Sequence, residues 1–223
     1  MSLVGVLLAA GASRRMGRPK ALVKRRHESF VAHGVRHLWS ACGDVVVVLG
    51  SQAANIRPAI EAEFERLVVT GRMHDDLASA HRHGADGLAL RFVVNPRWRQ
   101  GMLSSSRAGL RQALRLRPDA VLLLPVDHPQ VRPATVISLG EAMRGALSAY
   151  RGGRRRATPF AYALVPRYRR RRGHPVALSP ALARAIVLDR GATDLSDAIR
   201  RNARLVGYLD GVDPGVLVNR NRP

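Results

Sequence analysis

The stretch Leu8-Ala9-Ala10-Gly11-Ala12-Ser13-Arg14-Arg15-Met16-Gly17-Arg18-Pro19-Lys20 carries the residue types that hold phosphate. Small side chains from Ala9 to Ser13 let the backbone come close to a ligand, and successive N–H groups in such a turn form an anion-binding concavity. Arg15 and Lys20 add side-chain charge. The spacing is neither that of the Walker lysine loop nor that of the dinucleotide glycine triad. Glycines also occupy ordinary strand-to-helix connections, so spacing alone leaves both readings open. A second candidate is Asp127 in Pro125-Val126-Asp127-His128-Pro129. A lone carboxylate beside bound phosphates is a common way to hold Mg²⁺, which takes few protein ligands and keeps its waters. Capping a turn is the other use of an aspartate there. Ser104 and Ser105, at the start of a helical pattern, offer hydroxyls and free backbone N–H groups to an anion, or serve as a plain helix cap.

These residues need elements to position them. Leu3 to Ala9 is a continuous apolar run that reads as a strand buried on both faces, opening directly into the glycine-containing loop. Asp44 to Leu49, Leu90 to Val94 and Ala120 to Leu124 read as further buried strands. Helical patterns lie at Ser29 to Ala41, Gln52 to Leu67, Leu103 to Leu116 and Pro133 to Leu147. The alternation predicts an α/β fold of three layers, a mostly parallel twisted sheet with helices on both faces and ligands outside the carboxyl ends of the strands. Asp127 then falls just past a strand's carboxyl end. Phe160 to Val165 is expected to add antiparallel to the sheet, Ala181 to Leu188 and Leu195 to Asn202 to form short helices, and Leu205 to Leu209 to close with a strand. Residues 71 to 87 read as a long surface loop, whose His74, His81 and His83 lack a recognised ligand spacing. A single domain spanning residues 1–223 is expected.

The 37 Lys+Arg against 16 Asp+Glu give a net charge of +21, which alone points to a nucleic-acid partner. Only Lys20 and Lys24 are lysines, so 35 of the basic residues are arginines, and they are spread over every segment. A chain-wide substitution bias explains that spread better than one binding stripe, and nucleic acid is not the expected partner. The positive field still concentrates anionic ligands such as triphosphates. No apolar run approaches the roughly 20 residues of a membrane span. The single cysteine, Cys42, rules out an internal disulfide and a cysteine zinc cage, so a cytoplasmic protein is expected.

The Leu8–Leu22 stretch resembles the signature loop of the nucleotidyltransferases that attach CMP or GMP to molybdopterin. That resemblance implies that the loop wraps the triphosphate, that Arg15 and Lys20 neutralise it, and that Leu8, Ala9, Ala10 and Gly11 contact the base, with Ser13 in the same loop. Asn95-Pro96-Arg97-Trp98, Gly101-Met102, Ser104-Ser105 and Ala108-Gly109-Leu110 resemble the segment that closes over the nucleotide, though Leu103 and Ser106 depart from its usual order. Asp127 matches the family's magnesium ligand. Ala9-Ala10-Gly11, Val165-Pro166 with Tyr168 and Gly173-His174-Pro175-Val176, and Asp189-Arg190-Gly191-Ala192 resemble the cytidylyl branch, which places CTP ahead of GTP. Near the end, Asn219 and Asn221 stand where aspartates are usual. The guanylyl branch often has asparagine there, and an amide oxygen still binds a hard cation. The resemblance thus implies a Mg²⁺-dependent transfer of NMP to a molybdopterin-type acceptor, with Asp127, Asn219 and Asn221 at the metal, and with His174 and Arg172 available to the acceptor. Some relatives of the cytidylyl branch are instead oxidoreductases of pyridine dyes that use a nicotinamide cofactor.

Overall fold

A computed structural model describes residues 2–13, 17–71, 88–152 and 160–220. Arg15, Asn221 and the three histidines His74, His81 and His83 lie outside the described residues.

The principal sheet takes the order β10-β7-β9-β6-β1-β4-β5, with β8 paired to β7. Its strands are β1 (Leu3–Leu8), β4 (Asp44–Leu49), β5 (Ala89–Val94), β6 (Ala120–Pro125), β7 (Tyr162–Tyr168), β8 (Arg171–Arg172), β9 (Val176–Leu178) and β10 (Leu205–Asp210). A small hairpin is formed by β2 (Lys24–Arg25) and β3 (Glu28–Ser29). Strands β5, β4, β1 and β6 are mutually parallel. β1 is buried along its whole length because its side chains alternate between two cores. Leu3 and Leu7 enter one core, and Val4, Val6 and Leu8 the other.

The first core is closed by α1 (Phe30–Trp39), α2 (Ala53–Val69) and α4 (Pro133–Gly152), which contribute Leu38, Ile60 and Leu139 among others. The second is closed by α3 (Met102–Arg115), α5 (Pro180–Leu188) and α6 (Leu195–Asn202), through Leu110, Ile186 and Ala198. These are the three layers the alternating pattern predicts. Two glycines allow the helices to sit this close. A Cβ on Gly109 of α3 would strike Val6 and come within 2.7 Å of Val48, and one on Gly34 of α1 would come within 2.6 Å of Leu7.

One strand differs from expectation in direction. The segment predicted at Phe160 to Val165 forms β7, but it runs with β1; the strand against the grain is β9, which pairs antiparallel with both β6 and β7. The cause is the long crossover through α4, which carries the chain back between β6 and β7 so that the two run the same way, and the reversal comes only after β7. Arg169 and Arg170 both have positive φ, the pattern of a two-residue hairpin loop, and β8 pairs back on β7. So short a connection can only reverse the chain, and the strand that follows fills the slot beside β6. Among the described residues no helix is long and apolar enough to cross a membrane.

Candidate active site

With β1 flanked by β4 and β6, the chain crosses from one side of β1 to the other after β5, and the crevice at that switch lies beyond the carboxyl ends of β1 and β6. The turn after β1 is tied to both neighbours. Ala9 N–H donates to Val48 C=O at 2.9 Å, Ser51 N–H to Ala10 C=O at 3.1 Å, and Val126 N–H to Leu8 C=O at 3.0 Å. Ala9 and Ala10 are buried, while Gly11 is exposed and a Cβ there would meet nothing within 4 Å. Ser13 then takes positive φ, and its hydroxyl accepts the backbone N–H of Lys20 at 2.8 Å. Ser13 thereby fixes where the short 3₁₀ turn Lys20–Leu22 begins and hence where the Lys20 side chain starts.

The Nζ of Lys20 lies 3.4 Å from Oδ2 of Asp127, with side-chain exposures of 14% and 17%. Both line a cleft of about 240 Å³ with Leu8, Ala9, Ala10, Gly11, Ser13 and Ser105. The structure therefore brings together most of the sequence-predicted nucleotide residues. Ser104 is placed differently. Its hydroxyl donates to Arg97 C=O at 2.9 Å and Gly101 C=O at 3.0 Å, and it lines a neighbouring groove. Buried Asn95 organises this turn: its amide donates to Ser104 Oγ at 2.9 Å and Ser105 Oγ at 3.0 Å, and its carbonyl accepts Arg97 N–H at 3.0 Å. Ser106, out of the usual order, is fully buried and bonds back to Met102 C=O at 3.0 Å.

The end of the chain is held beside Asp127. Arg220 N–H donates to Asp127 C=O at 2.8 Å, which puts exposed Asn219 next to that aspartate's backbone. Buried Asp213 anchors the segment by accepting from Thr135 Oγ1 at 2.7 Å, Gly215 N–H at 2.8 Å and Arg132 N–H at 2.9 Å. Gly173 packs so closely on the backbone of Val216 that a Cβ would collide with its carbonyl group. His174 N–H donates to Val216 C=O at 3.0 Å.

His174 and Arg172 lie in a second cleft of about 860 Å³, which shares Met102 with the first. Arg172 sits with its guanidinium 5.2 Å from the Tyr208 ring centroid. The His174 ring meets that of His128 edge-on at 4.9 Å, and His128 Nε2 is 3.9 Å from Asp127 Oδ1. Burial, followed by repulsion from His128, pulls the His174 pKa down to about 4 against the attraction of Asp127. Burial likewise lowers His128. Neither imidazole adds positive charge at pH 7, and the Nδ1 of each is buried without a hydrogen bond. The cleft is also lined by Ala21, Trp98, Gly101, Met102, Pro125 and Val126, which were not among the predicted site residues, and His128 lies beside Asp127. Trp98 and Met102 belong to the segment likened to a nucleotide closure, which was the available signal.

Residues 5–205 match the family model of the MobA-like NTP transferase domain. The nicotine blue oxidoreductase of Paenarthrobacter nicotinovorans is 32% identical over 217 residues, covering 95% of this chain and 88% of that protein. The probable molybdenum cofactor guanylyltransferase of Opitutus terrae (strain DSM 11246 / JCM 15787 / PB90-1) is 32% identical over 183 residues, 79% of this chain and 85% of that protein. Among solved structures, Rv0371c from Mycobacterium tuberculosis H37Rv has a TM-score of 0.66 at 21% identity, covering 100% of this chain and 94% of that one. Its manganese complex has a TM-score of 0.58 at 21% identity, with 95% and 90% covered. A family match over nearly the whole chain coincides with a small-residue turn and a lysine–aspartate pair lining one cleft at the switch crevice, and the chain belongs to the MobA-like NTP transferases, enzymes of the nucleotidyltransferase class.

Proposed function

We propose that this chain transfers a nucleoside monophosphate, CMP in preference to GMP, from its triphosphate to a phosphorylated acceptor of the molybdopterin type. The observation that carries the reading is the convergence of Lys20 and Asp127 on a cleft floored by the Ala9–Gly11 turn. An oxygen of the acceptor phosphate attacks the α-phosphorus in line, a new P–O bond forms, and the bond to the bridging oxygen breaks so that pyrophosphate leaves. Little covalent work falls to the protein, and catalysis reduces to positioning and charge stabilisation. Lys20 and Arg15 stabilise the charge that builds as that bond breaks.

The donors fit Mg²⁺. Asp127 supplies a carboxylate in the cleft, Asn219 lies beside its backbone, and Asn221 is two residues further along. No group of three or more His, Cys, Asp or Glu forms a cage among the described residues. One carboxylate completed by substrate phosphates and water is how a small hard cation is commonly held. When bound, the cation would neutralise phosphate charge as a Lewis acid. The manganese complex of a structural neighbour supports a divalent-metal requirement.

Acceptor binding falls to the second cleft, which abuts the first at Met102. Arg172 offers a planar fork for a phosphate there, and His174 a neutral imidazole. The Ala9-Ala10-Gly11 and Gly173-His174-Pro175 blocks favour CTP, whereas Asn219, Asn221 and the guanylyltransferase relative favour GTP. The test is release of pyrophosphate from CTP and from GTP with Mg²⁺ and molybdopterin. Release from CTP above that from GTP is the expected result.

The oxidoreductase relative favours a second reading, in which the chain catalyses hydride transfer with a nicotinamide cofactor. Dye reduction by NADH or NADPH, measured beside pyrophosphate release, separates the two. A nucleic-acid role for the arginines at 169 to 172 has less support, because two of them lie over the chain's own tyrosines. Arg169 is 5.3 Å from the Tyr168 ring centroid, and Arg172 rests on Tyr208.

A further inference from the structure

The nucleotide cleft has two chemically distinct ends. Ser13, Lys20 and Asp127 form a polar end, while Ala10 and Trp98 form an apolar one. Their separation follows from the topology. Asp127 leaves β6 and Trp98 meets the chain leaving β4, and these strands flank β1 on opposite sides. Two inter-strand spacings amount to about 10 Å, a span that matches a nucleotide with its α-phosphate at one end and its base at the other.

Trp98 is only half-buried, yet its position is tightly determined. It opens the short 3₁₀ turn Trp98–Gln100, whose approach is set by Arg97 N–H donating to the Asn95 side chain and whose exit is Gly101 at φ 89°. Beneath it sits Gly50, immediately after β4. A Cβ on Gly50 would lie 2.6 Å from Trp98 Cβ and 2.6 Å from Ala10 C=O, and 2.9 Å from Ala10 Cβ. Only a glycine lets the tryptophan and the Ala10 turn close on each other across that strand end. The guanidinium of Arg99 lies 5.1 Å from the indole centroid, a cation over an aromatic ring that helps hold it upright.

We propose that Trp98 is the base-contacting wall of the nucleotide cleft, and that Gly50 is the positioning residue that sets its distance from the Ala9–Gly11 turn. This rests on the nucleotidyltransferase reading. It adds that the ligand's aromatic base, as distinct from its phosphates, is held by stacking or edge contact with this indole.

The chain has two tryptophans, and Trp39 is buried against Phe64, so Trp98 is a natural reporter. The experiment titrates the full-length protein with CTP, GTP and inorganic tripolyphosphate, each with Mg²⁺. Tryptophan emission and calorimetric binding are followed together. CTP is expected to change the emission, and tripolyphosphate to bind and compete with CTP without changing it. Trp98→Phe removes the signal while CTP still binds. Trp98→Ala and Gly50→Ala weaken CTP by about tenfold and leave tripolyphosphate binding unchanged. Loss of both ligands in parallel would mean that Gly50 and Trp98 merely support the fold, and would overturn the proposal. So would calorimetric CTP binding with no change in emission, or Trp98→Ala binding CTP as well as the parent. If the parent binds neither CTP, GTP nor tripolyphosphate, the nucleotidyltransferase reading falls and the proposal falls with it.

Discussion

Lys20 and Asp127, 107 residues apart in sequence, face each other at 3.4 Å across the switch crevice of the sheet. The lysine is an unusual choice for this chain, in which 35 of 37 basic residues are arginines. A lysine ammonium is a compact point charge on a flexible stem, and an arginine's wide planar fork does not occupy the same space between phosphate oxygens. Lys20→Arg should therefore lower kcat for pyrophosphate release by at least about tenfold despite unchanged formal charge, and Lys20→Ala by no less. Lys24, exposed on the small hairpin, is the control, and Lys24→Arg should keep parental turnover. Equal activity of Lys20→Arg and the parent would reduce this lysine to a source of general positive charge.

Base preference should appear first in stability. A ligand of the native state at about a hundred times its dissociation constant adds about 2.7 kcal/mol, which for a chain of this size raises Tm by roughly 5–10 °C. CTP with Mg²⁺ is expected to give the larger shift and GTP a smaller one. The reverse order would assign the chain to guanylyl transfer.

The acid limb of stability should depend on His37. Burial, then repulsion from His33, Arg36 and Arg25, lowers its pKa from 6.5 to about 4 against a weaker pull from Asp213, and its Nδ1 is buried without a hydrogen bond. A histidine depressed in the folded state binds its proton more readily when unfolded, so stability is lost as pH falls from about 6.5 toward 4. The contribution is of order 3 kcal/mol at most. His37→Gln should flatten this part of the stability curve in urea titrations run from pH 7 to pH 4.5. An unchanged slope would place the acid sensitivity elsewhere.

Packing of α3 on the sheet should fail at Gly109. An added methyl would strike Val6 and crowd Val48, both fully buried on central strands. Gly109→Ala should cost about 1–3 kcal/mol, with a lower denaturation midpoint and little change in slope. Gly145→Ala, where a Cβ meets nothing within 4 Å, should be neutral or slightly stabilising.

The strands and helices that build the crevice were legible because each apolar run has one consistent period. β4 and α6 have the predicted limits, and the other main elements differ by a few residues at their ends. The direction of β7 was not legible, since Phe160 to Val165 reads the same parallel or antiparallel. The crossover through α4 decides it, and the reversal is deferred to the hairpin at Arg169-Arg170, where arginines are not the residues that ordinarily mark such a turn. At the site, the phosphate-type loop and Asp127 could be read from residue types and resemblance. The Asn95 hub could not, because its role depends on the fold placing its amide between Ser104 and Ser105. Nor could the nearness of Asn219 to Asp127, which one backbone bond across the sheet's end creates.

The central claim is that Asp127 organises a phosphoryl-transfer site, and the most direct measurement follows the α-phosphate itself. CTP labelled at the α-phosphorus is incubated with Mg²⁺, molybdopterin and either parent or Asp127→Ala protein, after both are shown to melt at similar temperatures. The parent is expected to move label into the acceptor with one pyrophosphate released per transfer, and Asp127→Ala to do so at least about a hundredfold more slowly. Transfer by Asp127→Ala at the parental rate would contradict the claim.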